Sequence, residues 1–153
     1  MTAMGHVGAF LRGMRVAAPE PTKAETKEID VHHPMKDLPI VDDYGDGFRS
    51  RLVEWGGMIV SYETFPKGVD ATPLFKGLPD DMCQSPHWGY ILRGRVRIKR
   101  ADGDAVLRTG DVYYLEPGHV PVFEEETEVL EFSPKNEYQQ TIDVVNDNMA
   151  GLA

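Results

Sequence analysis

The sequence has little of three things: cysteine, long hydrophobic runs and positive charge. Its single cysteine, Cys83, cannot form an intramolecular disulfide. No stretch approaches the length of about 20 apolar residues that crosses a bilayer, and the longest N-terminal apolar run, 7–11, is shorter than a secretory core. Sixteen Lys and Arg against 25 Asp and Glu give a net charge of −9, which disfavours phosphate backbones and anionic lipids. We expect a cytoplasmic protein with neither a nucleic-acid nor a membrane partner.

The length and the N-terminal composition predict a single domain preceded by an arm. A chain of 153 residues fits one domain. Residues 1–40 show no sustained helical or strand period, and 19–28 are polar and contain prolines. We predict a largely irregular, disordered arm over 1–40 and one domain over 41–153. Met4 and Met14 leave open a physiological start downstream of Met1, which N-terminal sequencing of the native protein would test.

The segment after Arg49 has the sequence pattern of an all-β domain. Short runs of Val, Ile, Tyr and Phe alternate with Gly, Pro and Asp, which is typical of a sandwich or barrel of short strands. Asp102-Gly103 is a hairpin signal. The prolines in 65–86 predict a long loop there. The predicted strands are 51–55, 58–65, 88–92, 95–100, 105–109, 112–115, 120–123 and 129–132.

The C-terminal stretch has a helical period instead. Ser133-Pro134 is typical of a helix start, because the hydroxyl can cap and proline suits the first helical position. Four residues then recur on one helical face: Tyr138, Ile142, Val145 and Met149. We predict a helix over 134–150 whose apolar face lies on the barrel or on another subunit.

Two segments contain the residues best suited to metal binding or catalysis. Residues 83–94 run Cys-Gln-Ser-Pro-His-Trp-Gly-Tyr-Ile-Leu-Arg-Gly, and residues 110–121 run Gly-Asp-Val-Tyr-Tyr-Leu-Glu-Pro-Gly-His-Val-Pro. Together they resemble the two sequence motifs of the cupin superfamily, and the resemblance extends over 50–134. It implies a double-stranded β-helix, that is, a jelly-roll barrel, in which the motif positions surround one divalent metal.

Carried over residue by residue, the match to the cupin motifs is partial. Counting back from the glycine that ends the first motif puts His87 where the family has its Glu. Cys83 then stands at the second His position and Asp81 at the first. In the second motif Pro121 occupies the His position, and His119 lies two residues earlier. The resemblance thus implies a metal set of Cys83, His87 and His119, with Asp81 as fourth ligand or as acid or base.

The residue types themselves are compatible with this set. Side chains alternate along a strand, so positions 119 and 121 face the same way. On a straight strand Cys83 and His87 would lie about 13 Å apart, so a bend is needed, and Ser85-Pro86 supplies it. One thiolate and two imidazoles suit Zn²⁺ with a fourth position open to water or substrate. Zinc ranks above iron, nickel or manganese, because the three ligands include no carboxylate and the sulfur is oxidisable.

Simpler interpretations stay open for the same residues. Cys83 could be a small buried hydrophobe, and a His beside Pro-Gly could satisfy a backbone carbonyl. His6, His32 and His33 lie in the arm and are expected to be solvent-exposed. Of the aromatic residues, Tyr90 and Tyr113 could direct a hydroxyl at a bound ligand.

Charge patterning explains two further runs. The basic residues of 93–100 occupy one solvated strand face, since Val96 and Ile98 take the inward positions. The acidic residues of 124–131 could pair with that face, within the subunit or across a dimer.

Three functions fit this sequence. In the first, the barrel binds a divalent metal and a small polar molecule, as a metal-assisted hydrolase, isomerase or lyase. In the second, it is a noncatalytic ligand-binding or sensing module, and in the third a scaffold with no metal. Because exposed strand edges are commonly paired and cupins commonly dimerise, we also expect a homodimer.

Overall fold

A computed structural model describes residues 31–152. Most of the predicted disordered arm, residues 1–30, lies outside the described residues. His6, which was expected to be exposed, lies in that part too. Residues 31–39 contain one 3₁₀ turn, Met35–Asp37. His32 is exposed, as expected. The expectation for His33 is wrong, because its ring is half-buried and stacks on Trp55 with centroids 5.9 Å apart.

The domain consists of antiparallel strands followed by one helix. The strands are β1 (Ile40–Gly45), β2 (Phe48–Trp55), β3 (Met58–Phe65), β4 (His87–Arg93), β5 (Arg95–Arg100), β6 (Ala105–Arg108), β7 (Val112–Leu115), β8 (His119–Phe123) and β9 (Thr127–Pro134), and the helix is α1 (Lys135–Leu152). All eight predicted strands are present. β1 was not predicted: its sequence is half acidic or glycine, and pairing with β2 rather than strand propensity holds it in place.

The strands form two sheets that face each other as a jelly-roll barrel. One sheet has the order β1-β2-β3-β9-β4-β7 and the other β6-β5-β8. The predicted all-β barrel with a C-terminal helix is therefore correct. One core cluster fills the barrel between the sheets around Ile91, Ile98 and Phe123. A second lies beneath α1 and contains Val145 and Met149, which confirms that the apolar helix face packs on the barrel.

Close approach inside the barrel fixes the residue type at Gly89. The ring of Tyr113, which pairs with Gly89 across β7 and β4, occupies the space that a side chain at 89 would take. The strand position is therefore open only to glycine, and the tyrosine ring crosses above the backbone of β4. This contact places the Tyr113 hydroxyl over the centre of the larger sheet.

The helix begins one residue later than predicted, and Ser133 does not cap it. Strand pairing continues through Ser133 and Pro134, opposite Ile59 and Met58 of β3, so α1 begins at Lys135. The expected capping role of Ser133 is wrong. Its side chain turns into the barrel instead, because odd-numbered residues of β9 face inward.

The loop between β3 and β4 contains two 3₁₀ turns, Thr72–Phe75 and Pro79–Asp81. Asn148 of α1 donates hydrogen bonds to the carbonyls of Leu74 and Lys76, each at 2.8 Å. The helix therefore holds this loop against the barrel, and the long loop predicted over 65–86 is present.

The outer charges pair largely as expected. Arg97 Nε lies 2.7 Å from Glu124 Oε1, Lys99 Nζ lies 2.9 Å from Asp70 Oδ2, and Arg93 bonds both Glu126 and Glu128. The basic strand face is thus neutralised within the subunit. Among residues 31–152, no helix is both long enough and apolar enough to span a membrane.

Candidate metal centre and cavity

Three potential metal ligands converge inside the barrel. The ligand atoms of Cys83, His87 and His119 all lie within 4.8 Å of one another. Cys83 Sγ is 3.4 Å from His87 Nε2, and the two imidazole rings meet edge to face with centroids 5.2 Å apart. Cys83 and His119 are buried almost completely, and His87 is 9% exposed. The structure therefore brings together the three residues singled out in the sequence.

Backbone pairing explains how the loop residue Cys83 reaches the strand residue His119. An isolated antiparallel bridge joins the two residues. The Cys83 N–H donates to the His119 carbonyl at 2.9 Å, and the Gly118 N–H donates to the Cys83 carbonyl at 2.7 Å. A bend at Ser85 then lets the chain return so that His87 opens β4 beside the same sulfur. The Ser85-Pro86 bend expected from the sequence is present.

Hydrogen bonds orient both histidines in the same way. His119 Nδ1 lies 2.6 Å from the carbonyl oxygen of Glu116. Because a carbonyl only accepts, Nδ1 carries the proton and the Nε2 lone pair of the neutral ring is free. His87 Nδ1 lies 2.7 Å from Ser133 Oγ, and its Nε2 faces Cys83. Metal-binding histidines commonly have an oxygen partner at the second ring nitrogen. The Glu116 carbonyl fixes the tautomer of His119, whereas the Ser133 hydroxyl can donate or accept and orients the His87 ring without fixing its tautomer.

Burial sets the protonation states of two members of the group. It lowers the pKa of His119 to about 4, and the neighbouring His87 acts in the same direction. His119 is therefore neutral at pH 7 and can donate its lone pair. Burial raises the pKa of the Cys83 thiol to about 12. A metal that binds here must displace the thiol proton, as is usual for thiolate ligands.

The spacing of Cys83 and His87 fits a tetrahedral ion. Ligands at about 2.3 Å for sulfur and about 2.0 to 2.1 Å for nitrogen lie about 3.6 Å apart around tetrahedral Zn²⁺. The observed Sγ to Nε2 distance of 3.4 Å is close to that value. One thiolate and two imidazoles are also the soft and borderline donors that zinc accepts. The residues present therefore fit a zinc ion with one position left for water or a ligand.

Asp81 does not join this group. Its side chain is exposed and its Oδ1 accepts a hydrogen bond from the Gly77 N–H at 2.8 Å. The 3₁₀ turn that contains Asp81 directs the carboxylate to the loop rather than into the barrel. Among the described residues, the ligand group consists of the cysteine and the two histidines.

The two tyrosines considered as ligand contacts lie on opposite faces of the larger sheet. Tyr90 is exposed on the outer face and does not line the cavity. Tyr113 faces inward, and its hydroxyl donates to Glu131 Oε1 at 2.6 Å. Burial raises the pKa of Tyr113, and the charge of Glu131 adds to the effect. Tyr113 therefore keeps its proton and acts as a donor.

Three interior carboxylates were not recognised in the sequence: Asp42, Glu63 and Glu131, which all line the cavity. Glu131 was assigned to the acidic run that pairs with outer basic residues, and this assignment is wrong. It shares strand parity with the buried Val129 and Ser133, a signal that strand alternation would have provided. Its Oε2 lies 3.7 Å from His87 Nδ1. Glu63 accepts a hydrogen bond from Ser50 Oγ at 2.8 Å.

A cavity of about 150 Å³ connects these groups. Strands of both sheets and one face of α1 bound it, and most of its lining is apolar. Cys83, His87 and His119 contribute to its wall, as do the three carboxylates. A ligand in this space could touch the thiol and imidazole group and the acidic groups at the same time.

Comparisons with solved structures identify the fold. An RmlC-like cupin from Shewanella frigidimarina superposes with a TM-score of 0.51 and 16% identity, over 69% of this chain and 91% of that one. Ectoine synthase from P. lautus superposes with a TM-score of 0.51 and 12% identity, over 69% and 78%. No protein-family model and no curated protein matches the sequence. The chain has the cupin fold, as the two motifs implied, and at these identities the likeness concerns the fold alone.

Proposed function

We propose that the protein is a metal-dependent enzyme in which Cys83, His87 and His119 bind one Zn²⁺ next to a small-molecule cavity. The observation that carries the proposal is the convergence of three ligand atoms within 4.8 Å, together with the Glu116 carbonyl that leaves the Nε2 lone pair of His119 available. A buried thiol and two buried imidazoles form a costly polar cluster in an otherwise apolar interior. A bound cation offsets that cost.

The cavity residues can support proton transfer to or from a bound molecule. A zinc ion with an open position polarises a carbonyl or lowers the pKa of bound water. Glu131 lies between the Tyr113 hydroxyl and the His87 ring, where a carboxylate can accept and return a proton. Tyr113 donates to that carboxylate and holds it in place. These roles suit a hydrolase, an isomerase or a lyase, since each reaction class moves a proton near a polarised group.

The cavity limits the ligand to a small molecule. A volume of about 150 Å³ is close to that of a cavity that holds one benzene molecule. The apolar residues around it exclude bulk water, which strengthens every charged contact inside. We therefore expect a small molecule with a polar group directed at the metal.

A noncatalytic sensing module is the second candidate, and the position of α1 favours it. The helix lines the cavity through Tyr138, Thr141 and Ile142, and Asn148 ties it to the loop that precedes Cys83. A ligand that changes the helix position would change the outer surface of the protein. Under this alternative the metal has no exchangeable water and the bound molecule is released unchanged.

Metal analysis of untagged protein tests the proposal. We expect one equivalent of zinc in the wild type and less than about 0.1 equivalent, the level of adventitious binding, in Cys83→Ser and in His119→Ala. His32→Ala is the matched control, because His32 is exposed, and it should retain full zinc. Full zinc in either ligand variant would show that the ligand set is wrong. A metal-free wild type would refute the metal centre.

We also propose a homodimer formed through the outer face of the larger sheet. Tyr114, Trp88 and Phe132 form an exposed aromatic row across β7, β4 and β9, and the first two rings stack at 4.9 Å. An exposed aromatic row of this kind is typical of an interaction surface, and in a twofold dimer a second copy of the chain presents the same row.

Light scattering during gel filtration tests the dimer. Trp88→Glu should give a monomer, and Ala101→Glu, in an exposed turn after β5, should remain dimeric. A monomeric wild type would exclude the interface. The cytoplasmic location stays a prediction that rests on the single cysteine.

A further inference from the structure

The acidic part of the cavity, which contains three carboxylates, has no lysine or arginine beside it among the described residues. Asp42, Glu63 and Glu131 line it from β1, β3 and β9, and no Lys or Arg is among the described residues that line it. The outer carboxylates, by contrast, are paired with arginine and lysine side chains, as at Glu124 and Asp70. Buried carboxylates without a cation are costly, so this part of the cavity is electrostatically suited to a positively charged ligand.

Strand register places two of the acids at a distance that a single cation can bridge. Glu63 pairs with Val129 and Ser61 pairs with Glu131 across β3 and β9. Glu63 and Glu131 are therefore diagonal neighbours on one face, with Cβ atoms on the order of 7 Å apart. Burial raises the pKa of Glu63 to about 8, and the charge of Glu131 adds to the effect. A cation between the two carboxylates would relieve the part of this shift that comes from the charge of Glu131.

An independent feature of the same cavity also points to a ligand. Thr141 lines the cavity from α1 and is 5% exposed. Its hydroxyl has no hydrogen-bond partner within residues 31–152. Buried hydroxyls are usually bonded, and Thr141 lies one helical turn after Tyr138, whose pKa is raised by burial and by the charge of Glu63. The unpaired hydroxyl thus belongs to a residue that lines the same cavity as the acids.

The surroundings favour an organic cation over a second metal ion. Tyr44, Phe48 and Phe65 form an aromatic wall beside the acids, with successive centroids 4.7 and 5.0 Å apart. The remaining lining includes Leu74 and Met149, which are buried and apolar. Aromatic faces attract ammonium groups, and the apolar wall accommodates a short carbon chain.

We propose that the cavity binds a small primary amine as its ammonium ion, with the nitrogen between Glu63 and Glu131 and a hydrogen bond to the Thr141 hydroxyl. This proposal rests on the proposed function in that the other end of the ligand faces Cys83, His87 and His119. The substrate class is therefore a short amine with a second polar group. With about 150 Å³ available, we expect a ligand of about the size of benzene.

Binding of n-butylamine, measured by NMR titration at pH 7.5, tests the amine site, with 1-butanol as the neutral probe of equal length. The amine is protonated at this pH, as Lys is. We expect a Kd on the order of 1 mM for the amine and at least tenfold weaker binding of the alcohol. Glu63→Gln and Thr141→Val should each weaken amine binding, the former about tenfold. Glu137→Gln, an exposed acid on α1, is the control and should leave it unchanged.

Titrations of zinc-loaded and metal-free protein separate this proposal from the metal proposal. Amine selectivity in protein that binds no zinc would support the amine site and refute the metal centre. Zinc binding with equal affinity for amine and alcohol would overturn the amine site alone. If one of the two variants, Glu63→Gln or Thr141→Val, binds the amine with wild-type affinity, the substituted residue is not part of the site. If both do, the proposal is overturned. A second equivalent of zinc that Glu63→Gln abolishes would overturn it too, because the acids would then bind metal.

Discussion

Glu63 makes the stability of the protein depend on pH in a direction opposite to that of an ordinary carboxylate. Its pKa is raised from 4.5 to about 8, first by burial and then by the charge of Glu131. Between these values the native state keeps a proton that the unfolded chain has lost. The contribution of Glu63 to the free energy of unfolding is therefore highest below about pH 4.5, and this contribution falls as the pH rises towards 8.

The magnitude follows from the width of that window. Each pH unit inside it changes the free energy of unfolding by about 1.4 kcal/mol, so the full shift corresponds to about 5 kcal/mol. Glu63 is only partly buried, which reduces the effect. We expect the wild type to lose about 2 kcal/mol relative to Glu63→Gln between pH 5 and pH 8. The glutamine remains neutral and can still accept the Ser50 hydrogen bond.

Urea denaturation followed by tryptophan fluorescence measures this difference. Metal-free protein is used at pH 5, 6.5 and 8, because metal affinity is itself pH-dependent. Other titrating groups, such as His119, cancel in the comparison of wild type with Glu63→Gln. Glu137→Gln is exposed and should follow the wild type. Parallel pH profiles for the wild type and Glu63→Gln would refute the reasoning, since Glu63 would then be ionised in the native state as in the unfolded one.

Three further predictions follow from the same interior. Ser133→Ala removes the hydrogen-bond partner of His87 Nδ1 and should weaken zinc binding about tenfold in a chelator competition; unchanged affinity would show that the hydroxyl does not orient the ring. Gly89→Ala should lower the free energy of unfolding by about 2 kcal/mol, because its methyl group meets the Tyr113 ring, whereas Gly151→Ala, in open space, should not lower it. Zinc at 100 times its Kd should stabilise the wild type by about 2.7 kcal/mol in thermal denaturation and leave Cys83→Ser unaffected.

The sequence predicts the scaffold better than the cavity. Turn residues and alternating strands identify eight strands, and the helical period identifies the face of α1, since both follow from local chemistry. The bend at Ser85-Pro86 is also recognisable. β1 is not, because a half-acidic segment forms a strand only through pairing with β2. The backbone bridge between Cys83 and His119 likewise depends on the closed barrel, although the motif spacing indicates that the two residues meet.

Interior polar residues are the hardest to predict. Charged residues are rarely buried, so Glu131, one of five acids within 124–131, is naturally assigned to the surface. Its strand parity with Val129 contradicts that assignment. Asp81 shows the reverse error: a motif position suggests a ligand, but a local turn engages its carboxylate with the Gly77 N–H. In both cases the strand or turn geometry, rather than the residue type, decides where the charge lies.

Strand β9 links the two halves of the cavity. Ser133 and Glu131 lie two residues apart on its inner face, and β9 sits between β3 and β4 in the larger sheet. Ser133 bonds His87 Nδ1 at 2.7 Å, and Glu131 Oε2 lies 3.7 Å from the same nitrogen. A cation held by Glu131 would therefore weaken the electrostatic interaction between that carboxylate and the His87 ring. Occupancy of the acidic part and the donor strength of His87 are coupled through one short stretch of strand, so ligand binding and metal binding should influence each other's affinity equally.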